Sequence, residues 1–236
     1  MSKIHNLIFV LILFLVTTNC TGQVNNINTD RPDQSDGVYT ITKNKLQLEN
    51  GITVAKETFI NNFMLRYGVT PSTEIRILID AGKEGGISGL KPITFSIKQR
   101  VLKQRKIIPA ITFVGYVSFE KLASKNFQSN RIPFEVKLAF ENELSDKFSL
   151  GYNLGTSNNF TDINITMGLS YAPTDKILTF VEYFSTVTTQ TTEHNIDFGI
   201  MFLVKPQLQL DIACGRSIFN TEERLFATLG VSYLFD

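Results

Sequence analysis

From Asp162 to Tyr171 the chain alternates without a break. Ile163, Ile165, Met167, Leu169 and Tyr171 fall on one face, and Asp162, Asn164, Thr166, Gly168 and Ser170 on the other. Successive side chains of a strand point to opposite sides, so this stretch reads as a strand with one apolar and one polar face. About ten residues is also the length of a tilted strand that crosses a bilayer. The same period recurs along the chain and marks twelve candidate strands, beginning near Leu46, Phe59, Ile75, Ile93, Ile111, Phe134, Phe148, Asp162, Ile177, Ile196, Leu208 and Leu225. The ninth, Ile177 to Phe184, alternates poorly, and its faces are left unassigned.

Alternation alone does not say which face is outside. In a soluble sandwich the apolar faces meet in a core; in a membrane barrel they meet lipid and the polar faces line the lumen. Three features favour the barrel. Short turns at Thr70–Thr73, Leu144–Lys147, Pro173–Lys176 and Lys205–Gln207 fall at one end of the strands. Longer links at Gly82–Gly89, Glu120–Arg131, Ser185–Thr192 and Ser217–Glu222 fall at the other, with the tight hairpin Lys56–Thr58 as the exception. Short periplasmic turns and longer extracellular loops are the habit of bacterial barrels, and an even strand number puts both termini in the periplasm. Tyr67, Tyr171 and Tyr233 lie on the apolar face at the short-turn end, where an aromatic girdle sits. On the polar face, Glu49, Arg66, Arg76, Asp80, Lys98, Glu135, Lys137, Asp197, Asp211 and Arg224 are candidate lumen-lining residues of both signs. Reversing Arg76 to Glu is expected to change ion selectivity.

The first residues add a destination. A polar start with Lys3, an apolar run from Leu7 to Val16 and the small or polar residues through Gly22 make a signal peptide, residues 1–22, too short to span as a helix. Cys20 offers a lipoprotein alternative, but Asn19 before it fits poorly. Removal of the signal takes away Lys3, so 22 basic residues would face 22 acidic ones among the 236. A balance near zero carries no footprint for nucleic acid. Cys214 would then be the only cysteine, which excludes an intrachain disulfide.

Residues 23–44 are polar and contain Thr29-Asp30-Arg31-Pro32-Asp33-Gln34-Ser35-Asp36-Gly37. Proline, glycine and three aspartates argue for a loop. The spacing is not that of a calcium loop, and the closing glutamate is absent. This is a periplasmic N-terminal segment and a candidate plug for the periplasmic mouth, ahead of a barrel spanning 45–236. The same segment, with Lys45-Leu46-Gln47-Leu48-Glu49-Asn50-Gly51, Leu65-Arg66-Tyr67-Gly68-Val69-Thr70 and Glu74-Ile75-Arg76, resembles the outer-membrane β-barrel family named for the phenol meta-degradation pathway, whose members are labelled transporters. The resemblance implies a barrel in the bacterial outer membrane and passage of small hydrophobic or aromatic molecules. It carries no defined solute and no functional residues.

Catalysis has little to stand on. His194, the one histidine of the mature chain, sits beside Glu193, and Ser185 across the loop lacks a nucleophile motif. Cys214 falls on the predicted lipid face and reads as a small hydrophobe. One His and one Cys on different strands lack metal-ligand spacing. The reading is therefore an all-β, antiparallel up-and-down transmembrane barrel of about twelve strands. It would be a passive channel, not an enzyme, with no cofactor. Its partners would be the lipid bilayer, a small solute and the outer-membrane assembly machinery. A closed structural barrel, a barrel enzyme acting on lipid, and a soluble sandwich are the competing readings.

Overall fold

A computed structural model describes residues 27–219 and 224–235. The signal-peptide reading, with Lys3, the Leu7–Val16 run and Cys20, lies outside those residues, as does part of the Ser217–Glu222 link. The strands are β1 Leu46–Ala55, β2 Thr58–Thr70, β3 Thr73–Glu84, β4 Ile87–Leu90, β5 Ile93–Leu102, β6 Ala110–Phe119 and β7 Phe134–Glu143. They continue as β8 Phe148–Ser157, β9 Asp162–Thr174, β10 Ile177–Val187, β11 Thr192–Lys205, β12 Leu208–Ile218 and β13 Leu225–Phe235. Every pairing in the ladder is antiparallel. β1 joins β13 from Leu46↔Phe235 to Ala55↔Phe226, which closes the sheet into a barrel.

Twelve strands form the closed ring, because β4 and β5 share one place in it. β3 pairs with β4 through Ala81↔Leu90 and with β5 through Leu78↔Thr94, so the two are one strand broken at Lys91 and Pro92. Proline has no N–H to give the ladder, which explains the break. The predicted glycine-rich link Gly82–Gly89 is corrected accordingly: most of it is strand, turning over at Gly85 and Gly86, both with positive φ. The predicted loop Ser185–Thr192 likewise contracts to Thr188–Thr191 as β10 and β11 extend. Residues 120–133 remain the longest link, with two short 3-10 turns.

The polarity is inverted relative to a soluble protein. Ile163, Ile165, Met167, Leu169 and Tyr171 are 38–53% exposed, whereas Gln47, Glu49, Arg66, Arg76 and Lys98 are at most 2% exposed. Water would penalise both halves of that arrangement; hydrocarbon outside and a polar interior satisfy it. The strand that resisted assignment, β10, shows why. Phe180 and Glu182 are buried inside while Val181 points out, so its inner face mixes aromatic and charged residues. Phe180 fits because Gly199 faces it across the ladder: a Cβ there would come within 2.2 Å of the ring.

Candidate functional site: a lumen threaded by the N-terminal segment

The segment before β1 runs inside the barrel. Its register is set at the turn end, where Asn44 donates its N–H to the Gly68 carbonyl at 2.7 Å. Gly68 lets the chain lie against β2, since a Cβ there would meet the Thr42 carbonyl oxygen at 2.2 Å. Ile27, Ile41 and Leu234 pack together at that mouth, and Val38 is fully buried against Ala110 and Ala139.

The segment has no strand partner in most of its length, so its backbone donors are met by wall side chains. Asp30 N–H donates to Glu49 at 3.2 Å, Gln34 N–H to Glu182 at 2.7 Å, Asp36 N–H to Asn153 at 2.7 Å and Ile41 N–H to Glu74 at 2.7 Å. Its two buried aspartates face a basic wall built by β2, β3, β5 and β7. The Asp30 carboxylate accepts from Lys98 Nζ at 2.7 Å and Arg76 at 2.9 Å, with Arg66 at 3.3 Å. Asp36 pairs with Arg76 at 2.8 Å and Lys137 at 3.2 Å, and accepts from the Tyr116 hydroxyl at 2.6 Å. Burial pushes the Asp30 carboxyl up, but Arg66, Lys98 and Arg76 together outweigh it and hold it at about 2, below its ordinary 3.8. Lys137, Arg76, Lys98 and the Tyr116 hydrogen bond overcome burial in the same way at Asp36. Arg66 is also paired with Glu49 at 2.7 Å and Glu74 at 2.9 Å.

Arg31 reaches the other way, donating to Asp211 at 3.1 Å and Thr228 at 2.8 Å. Gly51 and Gly230, paired across β1 and β13, make the room: a Cβ would lie 2.2 Å from the Arg31 guanidinium carbon at Gly51 and 2.5 Å from its Nε at Gly230. The segment thus bridges the lumen from a basic wall to an acidic one. Above it, at the loop end, a vestibule of about 410 Å³ is floored by Arg31–Gln34 and walled by Ile60, Met64, Leu78, Asp80 and Phe226. Below it, a second recess of about 710 Å³ opens at the turn end beside Leu178, Met201, Leu203 and Gln209.

Of the residues singled out in sequence, Glu49, Arg66, Arg76, Lys98, Asp197 and Asp211 are buried on the inner face. Lys137 and Glu135 are half-buried there and paired at 2.8 Å; Asp80 lines the vestibule. Arg224 is corrected: it precedes β13, its side chain is 66% exposed, and it reaches Glu193 at 3.5 Å on the rim. Tyr67 and Tyr171 are exposed at the turn end, Tyr171 stacked on Phe148, while Tyr233 packs edge-on against Phe235 under Lys205. Ser185 stands opposite His194 across the ladder, and His194 Nδ1 is engaged by the Tyr183 hydroxyl at 2.6 Å. Cys214 is exposed on the outer face. Sequence reasoning offered Asp30, Arg31 and Asp36 only as part of a candidate plug, without partners, and left Glu74, Tyr116, Asn153 and Glu182 out of the lumen candidates. Their contacts lie far apart in the chain, and only the charge alternation within β3 hinted at one of them, Glu74.

The barrel's fold is that of bacterial outer-membrane porins. It superposes on the KdgM porin with a TM-score of 0.66 at 7% identity, covering 80% of this chain and 99% of that one. The NanC porin gives 0.61 at 7% identity, covering 80% and 98%. Omp33 of Acinetobacter baumannii gives 0.56 at 8% identity, covering 82% and 99%. No curated protein sequence matches the chain. The chain belongs to the family described as "Putative MetA-pathway of phenol degradation", which it matches over residues 29–235.

Proposed function

We propose that this protein is a passive channel of the bacterial outer membrane for small molecules, narrowed by its own N-terminal segment, and not an enzyme. One observation carries the reading: a closed twelve-strand ring wears its apolar side chains outside and its charges inside, with a recess at each mouth. That is how a wet path is built through hydrocarbon. Ile60, Met64, Leu78 and Phe226 give the vestibule an apolar side beside Asp80, which suits solutes with hydrophobic as well as polar surface. One structural relative, the KdgM porin, is known in complex with oligogalacturonate, a polar solute. Selectivity in this chain would come from the width beside the segment and the field of the charged walls. Single-channel recording of the refolded chain tests this, and discrete conductance steps are the expected result.

The ion pairs around Asp30 and Asp36 favour a second reading, a closed structural barrel. In that case neither the native chain nor a variant with a released segment would pass current.

A further inference from the structure

The basic wall is matched by carboxylates; on the acidic wall facing it Arg31 pairs with Asp211, while Glu182 and Asp197 have no ion pair among the described residues. On β10 and β11, Glu182 and Asp197 stand directly opposite each other on the inner face. Asp197 is 2% exposed, and neither of its carboxylate oxygens has a hydrogen-bond partner. Glu182 takes two hydrogen bonds from the segment, from the Gln34 N–H at 2.7 Å and from the Ser35 hydroxyl. Glu141 and Asp33 join Glu182 around a crevice of about 60 Å³ between the segment and the wall. The space exists because β8 and β9 present Gly151 and Gly168 there; a Cβ on Gly151 would meet nothing within 4 Å. Asp33 also lines the loop-end vestibule, so the crevice adjoins that vestibule past this carboxylate.

The nearest cations are already engaged. Lys98 is held by Asp30 at 2.7 Å, and Lys137 by Glu135 at 2.8 Å and Asp36 at 3.2 Å. Buried carboxylates without a counter-charge are costly. Among the described residues no three carboxylate, histidine or cysteine groups are placed to chelate a metal. A mobile counter-ion meets that need where a fixed one has no cage, and the crevice has room for a small cation with a little water.

We propose that this acidic crevice is the conducting path past the segment, and that Glu182 on its lining, with Asp197 opposite it in the ladder, makes it selective for small monovalent cations. The inference rests on the channel reading and goes beyond it by naming the route and the sign of the ion. Two measurements on the full refolded chain at about pH 8, where free carboxyls are ionised, separate the two claims. In planar bilayers under a KCl gradient, the native chain is expected to prefer K⁺ over Cl⁻. Glu182→Gln with Asp197→Asn is expected to cut that preference by about fivefold or more, since one fixed charge leaves the lining and a second leaves the wall beside it. Glu57→Gln, on an exposed hairpin, is the control and should leave it unchanged. A native current without cation preference, or an unchanged preference in the double variant, overturns the proposal.

The second measurement needs no current. Thermal unfolding in NaCl is compared with tetrabutylammonium chloride at equal ionic strength. Sodium should raise the midpoint of the native chain and not that of the double variant. Sodium stabilisation that depends on Glu182 and Asp197, in a chain that never conducts, keeps the cation site and sinks the channel reading. Unselective current with no sodium effect does the reverse.

Discussion

At the scale of single residues, the lumen is decided by which side chains are absent as much as by which are present. Gly51 and Gly230 leave the space that the Arg31 guanidinium fills on its way to Asp211. Gly51→Ala would put a methyl 2.2 Å from the guanidinium carbon and force Arg31 away. Asp211 would lose its ion pair while buried, a loss of about 1–3 kcal/mol. In an Arg31→Met background the same glycine change should cost far less, because the two sites share one interaction. Urea unfolding in liposomes measures both; a full loss that persists without Arg31 would mean the glycine serves the strand and not the arginine. Arg76 makes a related point. Sequence alternation places it inside, yet says nothing of its partners, which come from Asp30 and Asp36 earlier in the chain and from Glu74 two residues before it. Reversing Arg76 to Glu would therefore set like charges against both aspartates and dislodge the segment, and a change in selectivity would follow from that displacement.

At the scale of elements, the strands were legible, while the segment was read as a candidate plug without its contacts. A period of two fixes which side of β9 faces lipid without knowledge of any neighbour. Met167→Arg puts a cation on that face, where Met167 is 53% exposed, at a cost of about 2–4 kcal/mol near the bilayer midplane. Folded barrel yield on unheated gels should drop, and a native yield would place the β9 outer face away from hydrocarbon. The segment has no period, because its backbone is satisfied by Glu49, Glu74, Asn153 and Glu182 and not by a ladder. Its composition reads as loop, and the motif Thr29 to Gly37 marks family without revealing place. β10 was illegible for a different reason: Phe180 shares the inner face with Glu182, so hydropathy no longer reports direction.

Charge gives the segment a pH limit. The Asp30 carboxyl is held at about 2 against an ordinary 3.8, so its hold on Arg66, Arg76 and Lys98 is complete above 3.8 and fades as pH falls toward 2. Asp36 is depressed further still, so it stays ionised and paired near pH 2, where only Asp30 begins to let go. In an Asp36→Asn variant, where Asp30 alone holds the segment, pepsin should cut the Val38–Tyr39 region faster near pH 2 than at about pH 4.5, once rates are normalised to an unfolded substrate. Equal normalised rates at both values in that variant would show that Asp30 does not retain the segment.

On the scale of the whole molecule, the barrel is legible as a membrane object, while its interior is a long-range electrostatic arrangement. Arg66, Arg76, Lys98 and Lys137 collect on one wall, and Glu182, Asp197 and Asp211 on the other, with Asp30, Asp36 and Arg31 crossing between them. Asp30, Asp36 and Arg31 each meet the wall of opposite sign, while Asp33 lies beside Glu182, so the segment is retained by complementarity at three of its charges and not by a covalent lock. Asp30→Asn with Asp36→Asn removes the two carboxylates that the basic wall holds. Breaking a buried pair from one side leaves the other charge unpaired and costs about 3–5 kcal/mol, enough to favour release over strained retention. The lumen would then widen from a crevice beside the segment to most of the ring, and unitary conductance should rise by about fivefold or more as the obstructed cross-section clears. The newly bared Lys98 and Arg76 would enter the path, so cation preference should fall in the same recordings. Higher conductance with unaltered preference would mean that the ions still follow the acidic wall. Unchanged conductance in a correctly folded variant would mean that the segment's lodging does not rest on these two carboxylates.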